Sequence, residues 1–414
     1  MSTVRTWLVS AASVIAARWT QFVAGRRRLE GWLSPIMGTR LATLPARPVS
    51  TEDHRPGDRW RPIHFPQRGR GDLNVGELAE PGTAEFSRFV ASARRRRQVV
   101  LRPEATRSPW AADAIAALGA AGAPLGWAGR PADLPADLGD DLGAAIAAGV
   151  GRSRHARELH SIRGRRSAMH LLDRRAGCAD PPGVSVLLAT KRPADIERAV
   201  GLVARQRGVR VQLLVGLHGS EWSDGTSRRL EALGPSDTTV QRFGAEQPFG
   251  DVLAALTGHA RHALVAKWDD DDWYGIDHLG DLCLAYRYSG ADVVGKAAEF
   301  VYLEGSDLTI RRFAYGAESY SRTLAGGTLL TSTGWLERVG GWRPVARGVD
   351  RELLDATRRL GGTAYRTHGF QYVLRRRGGD VHTWAEPDRR FRSVATERRP
   401  GLDLAFADVE APTS

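Results

Sequence analysis

The chain has 414 residues and a mass of 45.1 kDa, enough for two or three domains with cores of their own. Its content of 42% hydrophobic, 26% charged and 7% aromatic residues excludes a wholly disordered chain. Two cysteines, Cys178 and Cys283, exclude a disulfide framework or a cysteine-rich zinc site, so a reducing, cytoplasmic setting is expected.

The net charge is 59 − 47 = +12, but only Lys191, Lys267 and Lys296 are lysines among those 59 cations. The arginine excess reads as a codon-composition habit of a GC-rich bacterium. No recognised nucleic-acid module accompanies it, so no nucleic-acid partner is expected.

Residues 1–50 carry seven arginines and one glutamate, with Trp7, Trp19, Phe22 and Trp32 interleaved. The apolar run 7–17 is too short to span a bilayer. It fits an amphipathic segment, either packed on the protein or in peripheral contact with anionic lipid at the inner face of the plasma membrane. Residues 51–183 read as a linker followed by a small α/β and helical accessory region. Within it, 98–101 and 124–127 are short strands, 110–118 is a helix, and 132–175 is helical with a stripe of Leu159, Ile162, Met169 and Leu172. His155, His160 and His170 lack companion ligands and are expected to be structural.

From residue 184 the pattern changes. Val184–Thr190, Val211–Leu217, Val240–Phe243 and 262–268 are strand runs, separated by helices near 193–205, 227–233 and 251–261. That alternation predicts a mostly parallel central sheet flanked by helices, with ligands beyond the strands' carboxyl ends. Neither GxGxxG after the first strand nor GxxxxGK[ST] occurs, which removes a dinucleotide fingerprint and a P-loop.

The fourth strand runs directly into Asp269-Asp-Asp-Asp272. Adjacent carboxylates repel, and burying them without a partner is costly, so they need a cation or open solvent. Period-2 geometry places Asp269 and Asp271 on one side and Asp270 and Asp272 on the other. One pair could hold Mn²⁺ or Mg²⁺, with the ion bridging phosphate oxygens. Lys191, Lys267 and Lys296 all fall near predicted strand ends. Asp350 opens a helix-like stretch to Leu360, where it serves either as a base or as an N-cap.

The set Val184–Thr190, Gln206, 267–275, Val294-Gly-Lys296, 325–330, Gly340-Gly-Trp342 and Val349-Asp-Arg-Glu352 resembles the family 2 glycosyltransferases, which have the GT-A fold. The resemblance covers residues 184–390, leaving 391–414 as a tail. It implies a metal-dependent transfer of sugar from a nucleotide-diphosphate donor to a carbohydrate or lipid-linked acceptor, with inversion. By that resemblance Thr190, Arg192, Asp195, Lys267, Asp269, Asp270, Lys296, Gly326, Gly327 and Thr328 bind the nucleotide sugar. Asp271, Asp272 and His382 are implied metal ligands, and Asp350 the general base with Glu352 as substitute. Trp342 and Trp384 either stack on a sugar or pack. A sugar nucleotidyltransferase and a non-catalytic carbohydrate-binding or assembly module are the alternatives; oligomeric state stays open.

Overall fold

The structure, a computed structural model, describes residues 71–94, 96–177, 180–219, 222–312, 316–377 and 388–410. The basic segment 1–50, Cys178, His382 and Trp384 therefore lie outside the described residues. Two compact units divide the rest near residue 180. No helix among the described residues is long and apolar enough to cross a membrane.

The first unit is a three-stranded parallel sheet, β1 (Asp72–Val75), β2 (Gln98–Leu101) and β3 (Leu125–Trp127), in that spatial order. Its helices are α1 (Ala84–Ala93), α2 (Ala111–Ala120), α3 (Gly139–Ala147) and α4 (Arg154–Arg175). Every residue of α2 except Asp113 is buried. Its alanines suit both helix formation and close packing, and a Cβ on Gly119 would lie 3.0 Å from Ala168 Cβ on α4. The helical run expected over 132–175 is broken, because Gly149 takes a left-handed φ of 72° and Ser153 caps α4 through Ala156 N. That cap also sets the helix phase. Glu158, paired with Arg154 at 2.9 Å, turns inward rather than Leu159.

The second unit contains an eight-stranded and a five-stranded sheet. The larger has the order β12 (Ser319–Tyr320), β14 (Ala364–Arg366), β9 (Val293–Gly295), β13 (Leu330–Ser332), β7 (Leu264–Trp268), β4 (Gly183–Thr190), β5 (Arg210–His218) and β6 (Thr238–Phe243). Strands β7-β4-β5-β6 are parallel, as the βα alternation requires. The sheet as a whole is mixed, with four of its seven strand pairings parallel, since β13 is antiparallel to both β7 and β9, and β12 to β14. The Gly-Gly turn before β13 sends that strand back along β7, a reversal that hydropathy does not reveal.

Helices α5 (Pro193–Ala204), α6 (Thr226–Leu233), α7 (Phe249–Thr257), α8 (His278–Ser289), α9 (Thr333–Arg338) and α10 (Val349–Arg359) cover this sheet. Leu187, Leu214, Val252, Leu256, Trp335, Trp342 and Leu353 form one continuous core. Gly216 lets α7 approach, since a Cβ there would lie 3.0 Å from Val252.

The smaller sheet has the order β16 (Ala395–Pro400), β11 (Leu308–Arg312), β10 (Phe300–Leu303), β15 (Tyr372–Arg376) and β8 (Trp273–Tyr274), with α11 (Asp388–Ser393) leading into β16. The region expected as a tail from 391 is thus built into a sheet. Its strand is polar on both faces because it lies at an edge, and Glu397 reaches the buried Arg311 at 3.6 Å. Sequence hydropathy could not distinguish such a strand from a tail.

Candidate active site

The acidic quartet is the turn that carries the chain from β7 of the large sheet into β8 of the small one. Because β4 and β7 are parallel neighbours, with Leu188 opposite Trp268, Thr190 and Arg192 emerge beside it. Two further segments converge there, the Gly326–Thr328 turn before β13 and the first turn of α10, which carries Asp350.

The four aspartates alternate. Asp270 and Asp272 are each 1% exposed, whereas Asp269 and Asp271 are half-buried. Asp270 accepts from Thr190 Oγ1 and, through both oxygens, from the Arg192 guanidinium. Asp272 accepts from Tyr372 Oη at 2.6 Å and Arg375 N at 2.9 Å, one bond on each oxygen. Burial, then the carboxylates of Asp271 and Asp269, push the Asp272 pKa well up. Asp269 gives only Oδ1 to Lys267, and Asp271 only Oδ2 to Arg192 at 2.6 Å. Asp269 Oδ2 and Asp271 Oδ1 accept no hydrogen bond from the described residues.

Lys267 is buried, and burial works against its ammonium. Asp269 and, at longer range, Asp350 outweigh that cost and hold its pKa above the ordinary lysine value. Tyr274 Oη receives Asp269 N and donates to the Gly327 carbonyl, both at 3.0 Å, which locks the quartet to the Gly-Gly turn. Trp268 stacks on Tyr274 with ring centroids 3.8 Å apart and supports that lock from below.

Each glycine of the turn lies under a carboxylate. A Cβ on Gly326 would lie 2.8 Å from Asp350 Oδ2; one on Gly327 would lie 2.8 Å from Asp269 Oδ2 and 2.6 Å from Tyr274 Oη. Gly326→Ala is therefore expected to displace the Asp350 carboxylate, and Gly327→Ala the carboxylate of Asp269 and the Tyr274 hydroxyl; crystal structures of the two variants check it.

Asp350 sits at the second position of α10, and Gly348, with a left-handed φ of 76°, is the N-cap. The capping alternative for Asp350 is therefore overturned, and its side chain forms no hydrogen bond with described residues. Glu352 lies on the same first turn and is half-buried.

Asp195 lies in a knot of arginines. It accepts from Arg377, from Arg375 Nη1 at 3.1 Å and from Arg198 Nη2 at 3.3 Å. Arg198 also donates to the carbonyls of Asp272 and Asp270 at 2.8 and 2.9 Å and lies 4.3 Å from the Trp273 ring centroid. The knot pins α5, the quartet's backbone and the end of β15 to one another.

Several predicted site residues are engaged by the protein's own groups. Lys296 is fully buried and donates to the carbonyls of Phe370 and His368 at 2.8 and 3.3 Å. Thr328 Oγ1 closes its own turn by donating to Ala325 O and accepting from Lys296 N, both at 2.8 Å. Trp342 is a core residue whose Nε1 donates to Thr257 Oγ1 at 3.0 Å, so it does not present a sugar-stacking face. Thr190 spends its hydroxyl on Asp270 and its acceptor on Arg192 N. Tyr274, Tyr372 and Arg198 were missed by sequence reasoning. His160 bonds the Leu125 carbonyl at 2.6 Å through Nε2.

Behind the site, His368 Nε2 lies 3.3 Å from Asp281. Burial, with Lys296 adding to it, depresses the His368 pKa to about 4. A depressed histidine adds stability above its unfolded pKa of about 6.5, and loses it as pH falls through the folded value. Unfolding free energy is expected to drop by up to about 3 kcal/mol between those limits. Denaturant titrations across that range, with His368→Gln giving a flatter profile, check it.

Among the described residues no three His, Cys, Asp or Glu side chains converge as a ready-made metal cage. A two-carboxylate site completed by substrate phosphates and water is a common arrangement for Mg²⁺, and the free oxygens of Asp269 and Asp271 fit that donor set.

Neither a protein-family model nor a curated protein matches the chain. The structure is similar in part to S. aureus TarS, at TM-score 0.37 and 13% identity over 47% of this chain and 37% of that one. TarS 1–349 in complex with UDP-GlcNAc gives TM-score 0.39 and 13% identity, covering 55% and 69%. The mannosyltransferase PcManGT from Pyrobaculum calidifontis, in complex with GDP-Man and Mn²⁺, gives 0.38 and 17%, covering 52% and 61%. The chain thus spans between about a third and two-thirds of those proteins.

Proposed function

We propose that the chain is a metal-dependent glycosyltransferase of the GT-A kind. It would move a sugar from a nucleotide diphosphate to a hydroxyl of a carbohydrate or lipid-linked acceptor, with inversion. The observation that supports this reading is the alternation in the quartet. Asp270 and Asp272 are satisfied within the protein, while Asp269 and Asp271 each keep an oxygen, beside a Gly-Gly turn overlain by the unbonded carboxylate of Asp350.

Asp269 and Asp271 would hold a divalent ion, Mn²⁺ or Mg²⁺, which when bound neutralises charge on diphosphate oxygens. Arg192, the most exposed cation at the quartet, balances the remaining donor charge. Gly326 and Gly327 admit the donor sugar close to the backbone, where any side chain would strike a carboxylate. Asp350 takes the proton from the acceptor hydroxyl as that oxygen bonds to the anomeric carbon. The old carbon–oxygen bond breaks toward the diphosphate, which leaves on the opposite face with the electron pair. Lys267, paired with Asp269 and attracted at longer range by Asp350, offsets part of the charge of both carboxylates. A donor screen with Mn²⁺ or Mg²⁺, reading nucleoside-diphosphate release with and without glycan acceptors, tests the proposal. Acceptor-stimulated release is expected, and no release from any sugar nucleotide would refute it.

A further inference from the structure

The approach to Asp350 carries an arc of arginines that the transfer chemistry does not use. Arg322 precedes the Gly-Gly turn by four residues, and Arg343 and Arg347 lie on the loop that leads into α10. All three are exposed, and none pairs with a carboxylate among the described residues. Arg351, on the helix's first turn, is 85% exposed and reaches only Asp355, at 3.9 Å. Other exposed arginines of this unit do pair, such as Arg261 with Asp237 at 2.8 Å and Arg358 with Asp355 at 3.1 Å, while Arg228 and Arg359 are exposed without an ion pair among the described residues.

Backbone contacts bring the arc to the reaction centre. Gly250 N donates to Val345 O at 3.1 Å, so the 343–345 loop rests on the start of α7. The Phe249 ring beside it lies 5.9 Å from Lys267 Nζ, which pairs with Asp269. On the other side, Gly326 abuts Asp350. Asp251 on α7 and Glu352 on α10 form no ion pair with the arc, and Asp355 on α10 reaches only Arg351 of it. Between residues 321 and 352 the sequence holds five arginines against Glu337, Asp350 and Glu352. Arg322, Arg343 and Arg347 thus add positive charge without ion pairs on the two segments that flank the base.

We infer that the acceptor is anionic, carrying phosphate or diphosphate, and that Arg322, Arg343 and Arg347 bind that group. The inference rests on the transferase reading for the word acceptor, but its physical content is a phosphate-binding arc beside Asp350. Unpaired guanidinium groups are suited to phosphate oxygens because their planar fork offers two parallel donors. Two sources share this chemistry, a lipid-linked diphosphate and a phosphate-bearing polymer.

The test uses the full chain and the triple variant Arg322→Gln, Arg343→Gln, Arg347→Gln, none of which belongs to the quartet, the Gly-Gly turn or the base. Calorimetry would follow binding of farnesyl diphosphate in neutral detergent micelles, linear polyphosphate and neutral dextran, without donor, at low and moderate salt. The wild type is expected to bind a phosphate probe and not dextran. The triple variant should lose about tenfold in that affinity, with a shallower salt dependence. Binding of farnesyl diphosphate alone identifies the lipid source, binding of polyphosphate alone the polymer, and binding of both supports the shared chemistry. Equal binding of dextran, no binding of either phosphate probe, or retention of phosphate affinity within about twofold in the variant would overturn the inference. Because these arms use no sugar nucleotide, failure of every donor to bind would count against the transferase reading alone.

Discussion

Replacing Asp350 by Asn is expected to lower turnover by about 10²–10⁴-fold while donor affinity stays within about twofold of wild type. The substitution keeps size and shape and removes the proton acceptor. Asp350 forms no hydrogen bond with described residues, and Gly348 rather than Asp350 caps α10, so its loss should leave the helix intact. Rapid-quench measurement of sugar transfer beside calorimetric donor binding separates chemistry from affinity. A variant with wild-type turnover would remove Asp350 from the reaction, and Glu352 on the same turn would be the next carboxylate to test.

The quartet should split into two classes under the same isosteric change. Asp271→Asn is expected to fold normally and to lose metal-assisted donor binding, because it removes charge from one of the two carboxylates that keep a free oxygen. Asp272→Asn sets an amide against Tyr372 Oη and Arg375 N, both donors, in a site 1% exposed. One donor must lose its acceptor, which should cost roughly 1–3 kcal/mol of stability. Denaturant unfolding would register Asp272→Asn, and ion-dependent donor titration would register Asp271→Asn. Asp272, expected as a metal ligand from its place in the motif, is on this account a strut between the two sheets.

The parallel half of the large sheet was legible because four apolar runs alternate with helices, and that pattern places the quartet at a strand's carboxyl end. Period-2 geometry also anticipated the alternation of the four aspartates. What the sequence concealed are partnerships across long separations. The arginines that occupy Asp195 come from its own helix and from the end of β15 and the residue after it, so a carboxylate expected to bind the nucleotide sugar is spent on Arg198, Arg375 and Arg377. Lys296 reads as a strand-end cation, yet the chain after β14 folds over it and offers two carbonyls. The antiparallel insertion of β13 depends on a turn at Gly326–Thr328, and β16 is polar because it is an edge. Neither leaves a hydropathy signal.

The most direct measurement is the anomalous diffraction of Mn²⁺ in crystals of the full chain soaked with a nucleoside diphosphate. One peak is expected about 2.1 Å from an oxygen of Asp269 and an oxygen of Asp271, with Asp270 still on Arg192 and Asp272 still on Tyr372. A peak ligated by Asp270 or Asp272, or diphosphate bound with no ion at the quartet, would contradict it.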